Sequence, residues 1–349
     1  MVMKKNSIKS ISVVLIVVAF LGLLFAPLPY YIESPGSAVH LNELVQVDNE
    51  TDQALGSYML TTVAVRRATP LIYLTKFLPF HDGYTEEELF GTTTSSEEYN
   101  NLQQFYMTSS INSAVQAAFE AANKSYEFLY NGVYVMSVLE NSNFKDLLQV
   151  GDTIITVDGN AFKSSQEFIK YVQNQEVNQT IEVTYQRDGE ENTVSASLIE
   201  MEETKHPGLG ISLVGNTSIN TDVPVEIDSD GIGGPSAGFM FALQMYTQLV
   251  NQELRNGHEI AGTGTISEDG TVGRIGGIEK KVVAADDEGA TIFFAPDDEI
   301  DPVILENYPE LKSNYEEAVA TAEEIETDMI IVPVKNIQDA IDYLTQLGE

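Results

Sequence analysis

Cysteine and tryptophan are missing from all 349 residues, and basic residues are scarce: 18 Lys+Arg face 53 Asp+Glu, a formal net charge of -35. Without cysteine there is no disulfide framework, thiolate metal site, iron–sulfur cluster or cysteine nucleophile. So acidic a surface repels phosphate backbones, which excludes nucleic acid as an expected partner. His40, His81, His206 and His258 are scattered and form no HExxH, so no metal site is expected. A GxxxxGK[ST] phosphate loop is also lacking, which removes ATP hydrolysis by that route and leaves no cofactor expectation. Apolar residues make up 43% of the chain, enough to bury the cores of two domains or more.

Charge is absent from Ser10 to Ile32, and that absence is the first positive signal. The stretch "ISVVLIVVAFLGLLFAPLPYY" is close to the ~20 apolar residues that cross a bilayer as a helix. Lys4, Lys5 and Lys9 precede it and an acidic chain follows, which orients residues 1–9 toward the cytoplasm. The small residues of Gly36–Ala38 lie too far beyond the apolar core for a cleavage site. The pattern predicts an uncleaved transmembrane helix over 10–32, with the lipid bilayer as its partner and the remainder outside the cytoplasm.

Residues 33–124 read as extended pieces such as "SYMLTTVAV", then a helix with Ile111, Ala114, Val115, Ala118 and Phe119 on one stripe. The stripe is a packing face, and no chemistry is legible in this region. From 125 to 202 the pattern becomes strand, strand, small helix and hairpin, with Asp158-Gly159 and Asp188-Gly189 at bends. This β-rich series, centred on "LLQVGDTIITVDG", resembles a PDZ domain. The resemblance implies strand addition of an extended peptide, with Asn131, Gly132, Val133 and Tyr134 as the receiving backbone. The Gly-Leu-Gly-Phe form usual in that family is missing at this position.

The third segment, 205–349, carries "DGIGGPSAGFMFAL". The apolar run after Ser236 reads as a buried helix, and Pro235 suits its first position. Ser236 then falls in the first turn, where free amides favour a developing negative charge. Gly233 and Gly234 let a substrate carbonyl come close, with nearby backbone N–H groups as an oxyanion hole. A serine nucleophile needs a base, and "IEKKVVAADDEG" offers Lys280 and Lys281 on an amphipathic helix. At ~100° per residue Lys281 joins the apolar stripe of Ile278, Val282 and Ala285, while Lys280 points toward solvent. A desolvated lysine can act as a base, so the helix face prefers Lys281.

"GGPSAG" followed by "GG-x-x-x-K-x-x-AA" resembles the proteolytic domain of Lon proteases, the Ser–Lys dyad peptidases. The resemblance implies that Ser236 attacks the scissile carbonyl, Lys281 removes its proton, and Thr263 supports the lysine. Gly233 and Thr265 depart from residues common in Lon enzymes. Anchor, PDZ-like module and Lon-like domain in this order resemble the bacterial PDZ–Lon membrane proteases, the YlbL-like family. The expected fold class is therefore α+β: a transmembrane helix, a β-rich PDZ-like domain, and a C-terminal Lon-type domain of mixed sheets and helices. The expected function is an ATP-independent extracytoplasmic serine endopeptidase that cleaves exported peptides or small membrane proteins. Lon domains commonly assemble into rings, so the resemblance also implies a homo-oligomer. The alternative is a membrane-tethered, peptide-binding scaffold with an inert Lon-like domain.

Overall fold

The computed structural model describes residues 22, 24–90 and 96–348. Asp-Gly pairs set two of its tight bends: Asp158 and Gly159 have φ of 49° and 73°, Asp188 and Gly189 of 52° and 82°. Two successive positive φ values match the twist of adjoining strands and close a two-residue hairpin. The hairpin Thr180–Arg187 and Glu190–Ser197 begins an antiparallel sheet that continues through Thr153–Val157 and Tyr126–Val138 to Ile211–Thr221. Val135, Phe144, Ile154, Phe168 and Val183 form its core, with the helix Ser165–Gln173 packed on it. The last strand lies beyond residue 202, so this module extends past the boundary expected from the sequence.

A second, mixed sheet has the order Ile330–Val334, Ile292–Pro296, Glu259–Gly262, Ser57–Arg67, Tyr30–His40, Asp82–Thr85. Its first three pairings are parallel and its last two antiparallel. Three of its six strands precede residue 90, and three follow residue 258. The two apolar cores flanking the sheet mix the same parts of the chain: Tyr58, Met107 and Phe119 pack with Phe239, Phe241 and Phe294, and Ala38 and Met59 with Val282 and Phe293. The separate region expected over 33–124 is thus half of the unit expected over 205–349. The PDZ-like sheet is an insertion within it.

Two helices fix the interior. Gly238–Val250 is apolar on every side, and Phe239 through Met245 are all buried. Ser96–Ala121 lies across it with Ala114, Ala118 and Phe119 inward, the packing face expected from the apolar stripe. A methyl group at Gly238 would collide with the Ser110 hydroxyl and Ile266, so only glycine lets these elements approach so closely.

Among the described residues no helix is long and apolar enough to cross a membrane. Residues 10–21 and 23 of the expected anchor lie outside the described residues. Its far end is corrected: Tyr30, Tyr31 and Ile32 are strand residues paired with Thr85, Tyr84 and Gly83.

Candidate active site

The Ser236 hydroxyl lies where two halves of the mixed sheet meet a helix start. Pro235–Ala237 form a turn ahead of the helix, and Ala237 is the residue that caps Gly238–Val250. Pro235 is therefore not at the first helical position. The Ser236 carbonyl points out of the helix ladder and accepts from Gly264 N–H at 2.9 Å and the Thr263 hydroxyl at 3.0 Å. The nucleophile's backbone is thereby tied to the loop after Glu259–Gly262.

Lys281 reaches Ser236 from the helix Ile278–Asp287. Its Nζ is 2.7 Å from Ser236 Oγ, 3.1 Å from Thr263 Oγ1 and 3.1 Å from the Thr61 carbonyl. The side chain is 2% exposed, and burial pushes the amine down to about 7, against a weaker upward pull from Glu33. Hydrogen-bond accounting assigns the protons. The Thr61 carbonyl can only accept, and the Thr263 hydroxyl spends its proton on Ser236 O, so both take an N–H from lysine. A neutral amine then has its lone pair left for the Ser236 O–H. That is the arrangement a general base requires.

Lys280 departs from the sequence expectation. It is 1% exposed, with Nζ 2.5 Å from Asp82, 2.5 Å from Glu279 and 3.2 Å from Glu33. Burial works against its charge, but the bonds to Asp82 and Glu279 and the nearby Glu33 outweigh it and raise its pKa above the ordinary value. The helix face opposite Lys281 does not meet water, because Tyr30–His40 and Asp82–Thr85 cover it and pair Glu33 with Asp82 in register. Gly277, at φ 66°, starts this helix where a side chain would press on Val63 and Glu33.

The glycine loop also reads differently. Gly233 and Gly234 face Gln103 of the long helix, and Gly234 N–H donates to Gln103 O at 2.9 Å. Gly234 is thus not a free oxyanion donor here, whereas Gly233 and Ser236 N–H donate to no acceptor among the described residues. The loop borders a cleft of about 800 Å³, lined also by Thr61, Thr62, Val63, Gln103 and Arg274. The histidines are engaged elsewhere, His40 with Ser57 and His258 with Thr291.

Asn131, Gly132, Val133 and Tyr134 lie inside Tyr126–Val138. Gly132–Tyr134 pair with Val214–Asn216, and Val133 and Tyr134 also pair with Ile154 and Thr153 on the other side. A peptide cannot add to a strand occupied on both edges. The end strand of that sheet is Ile211–Thr221, beside the helix Ser165–Gln173. It opens with Gly208-Leu209-Gly210-Ile211, a glycine-hydrophobic form placed after the module instead of before it. That signal was legible in the sequence. The Ser110 and Asn112 side chains, which brace the long helix to Pro235 O at 2.8 Å and Thr217 O at 2.7 Å, had no sequence signal.

Comparison with known proteins finds two domains in the same order, with bounds that differ from those of the sheets. Residues 103–198 match the model of the PDZ domain, and residues 190–346 that of the Lon protease (S16) C-terminal proteolytic domain. The chain is 32% identical over 134 residues to peroxisomal Lon protease homolog 2 of Caenorhabditis elegans, covering 38% of this chain and 15% of that protein. It is 32% identical over 130 residues to Lon protease of Metamycoplasma arthritidis, covering 37% and 13% respectively. The chain thus spans about a seventh of the length of these curated relatives. Among solved structures, the PDZ domain of the SdrC-like protein from Listeria monocytogenes is 42% identical, with a TM-score of 0.24, covering 25% of this chain and 90% of that one. The matched domain and the relatives support a serine peptidase.

Proposed function

Because the chain carries a PDZ domain followed by a Lon C-terminal proteolytic domain, we propose that it is a Ser–Lys endopeptidase working without ATP. The observation that carries this reading is the 2.7 Å contact between the buried Lys281 amine, its pKa pushed down to about 7 by burial, and Ser236 Oγ. Ser236 Oγ attacks the scissile carbonyl as its proton passes to Lys281 Nζ. The oxyanion is met by the free N–H groups of Gly233 and Ser236. Lys281 then protonates the departing amine, and an acyl-enzyme remains on Ser236. Water passes a proton to the neutral Lys281 Nζ as it attacks the ester, and Lys281 returns that proton to Ser236 Oγ as the ester bond breaks and the acid product leaves. Thr263 and Thr61 hold the amine in place throughout.

Substrates in this reading are exported peptides or small membrane proteins, met outside the cytoplasm by an enzyme tethered through residues 10–32. The PDZ-like groove lies between Ile211–Thr221 and Ser165–Gln173 and recruits or gates them by strand addition. Support comes from the long helix, which touches the groove strand through Asn112 and the nucleophile loop through Ser110 and Gln103. A phosphonate probe should label the wild-type chain at pH 8 and leave Ser236→Ala unlabelled. An unlabelled wild type would favour the inert scaffold.

A further inference from the structure

The segment Pro70–Phe77 is short, one α turn followed by one 3-10 turn, yet it displays large apolar side chains to solvent. Leu71, Leu74 and Leu78 are more than half exposed, and Phe77 is 75% exposed. Contiguous exposed apolar surface of this kind marks an interaction site. What sets it apart is where the N-terminal run arrives. Leu28 N–H donates to Ala68 O at 2.8 Å, Arg67 Nε donates to Leu28 O at 3.1 Å, and the Tyr30 and Tyr73 rings meet edge to face at 4.9 Å. The 23 uncharged residues from Ser10 to Ile32 therefore lead into this patch, with Phe25 also exposed beside its entry.

We propose that Leu71, Leu74, Phe77 and Leu78 seat the catalytic unit on the bilayer surface, so that it cuts chains close to the membrane. This rests on the membrane-anchored reading above. The flanking chemistry fits an interface: Tyr30 and Tyr73 are amphipathic rings, and Lys76 lies 4.0 Å over Tyr73 while Arg66 and Arg67 are exposed nearby. These three cations stand out in a chain of net charge -35. Glu86, Glu87 and Glu88 follow the strand paired with Tyr30, so apolar insertion carries the seating and charge contributes less. Val63 of the cleft and Arg67 at the patch share one strand, four residues or about 13 Å apart. Substrates held by a lipid-embedded segment would then present their membrane-proximal residues to Ser236.

The missing tryptophan makes the test clean. Full-length Phe77→Trp is reconstituted into phosphatidylcholine–phosphatidylglycerol vesicles with and without brominated chains. Leu55→Trp, an exposed position just before the far end of the strand Ser57–Arg67, which is about 33 Å long, serves as the reference. Phe77→Trp should emit at shorter wavelength and lose about half its intensity to bromine, and Leu55→Trp should do neither. A chain that floats with vesicles while its Phe77→Trp emission stays water-like overturns the seating and leaves the anchor standing. A chain that fails to float overturns both. Shorter-wavelength emission without bromine quenching assigns the patch to a second copy and also overturns the proposal. Leu74→Asp with Phe77→Asp should leave cleavage of a soluble peptide unchanged and slow cleavage of a vesicle-embedded substrate about fivefold. Equal loss on both substrates argues against it.

Discussion

Across a single peptide bond, the helix Ile278–Asp287 delivers one lysine to Glu33, Asp82 and Glu279 and the next to Thr61, Thr263 and Ser236. Both side chains are shielded from solvent, Lys281 the more deeply, and burial disfavours the charge of each. Burial and partners together decide a lysine's charge. Carboxylates hold Lys280 as a cation, whereas Lys281 meets only neutral oxygens and drops to about 7. The two pockets share Glu33, which touches Lys280 and pulls Lys281 upward. The ion pair with Lys280 offsets part of the Glu33 charge that its neighbour meets.

Replacing the neutral partner should have the largest effect. Lys281→Met should lower kcat at least about 10³-fold in a peptide-cleavage assay. The same variant should be more stable near pH 7. Between about 7 and 10.5 the unfolded lysine holds a proton that the folded one has lost, so wild-type stability rises with pH across that window. At and below pH 7 the full cost of burying the amine is present, of order a few kcal/mol, and the variant is free of it. Urea melts from pH 6.5 to 9.5 should show the variant's advantage shrink as pH rises. An advantage that grows instead would refute a depressed lysine.

Thr263→Val keeps the shape but removes the hydroxyl between Lys281 and the Ser236 carbonyl. It should cost about tenfold in kcat at every pH, with KM little changed. Lys280→Met sharpens the comparison most. It leaves Glu33 uncompensated, so the acid limb of the rate profile should move up by about one unit, a loss of about fivefold at pH 7 that recovers by pH 9. It should also cost about 2 kcal/mol of stability, a figure reduced because Asp82 is half exposed. A uniform loss at all pH values would mean that Lys280 serves packing alone. The smallest effect falls on Asn112→Ala, which should leave basal peptide cleavage intact and reduce any response to a PDZ-groove peptide about threefold.

The parts legible in the sequence were local. Asp-Gly bends, the all-apolar helix after Ser236 and the stripe that selects Lys281 each depend on residues a few positions apart. Strand pairing is not local: Glu259–Gly262 lies parallel to Ser57–Leu60, some 200 residues away, and neither stretch names the other. That hid the contribution of Thr61 to the lysine pocket and of Gln103 to the glycine loop. Helix periodicity also assumes one wet face, and it failed for Lys280 because strands cover that face as well. From the sequence alone the glycines at 233 and 234 imply space for substrate, although their neighbour is Gln103.

The insertion described above also sets a timetable. Thr61 is synthesised before the PDZ-like module, Ser236 and Thr263 after it, and Lys281 last of the four. No peptidase can exist before Lys281 has been made, since the base is the last of the four to arrive. By then the PDZ-like module has its full set of strands, so it is complete before the dyad is.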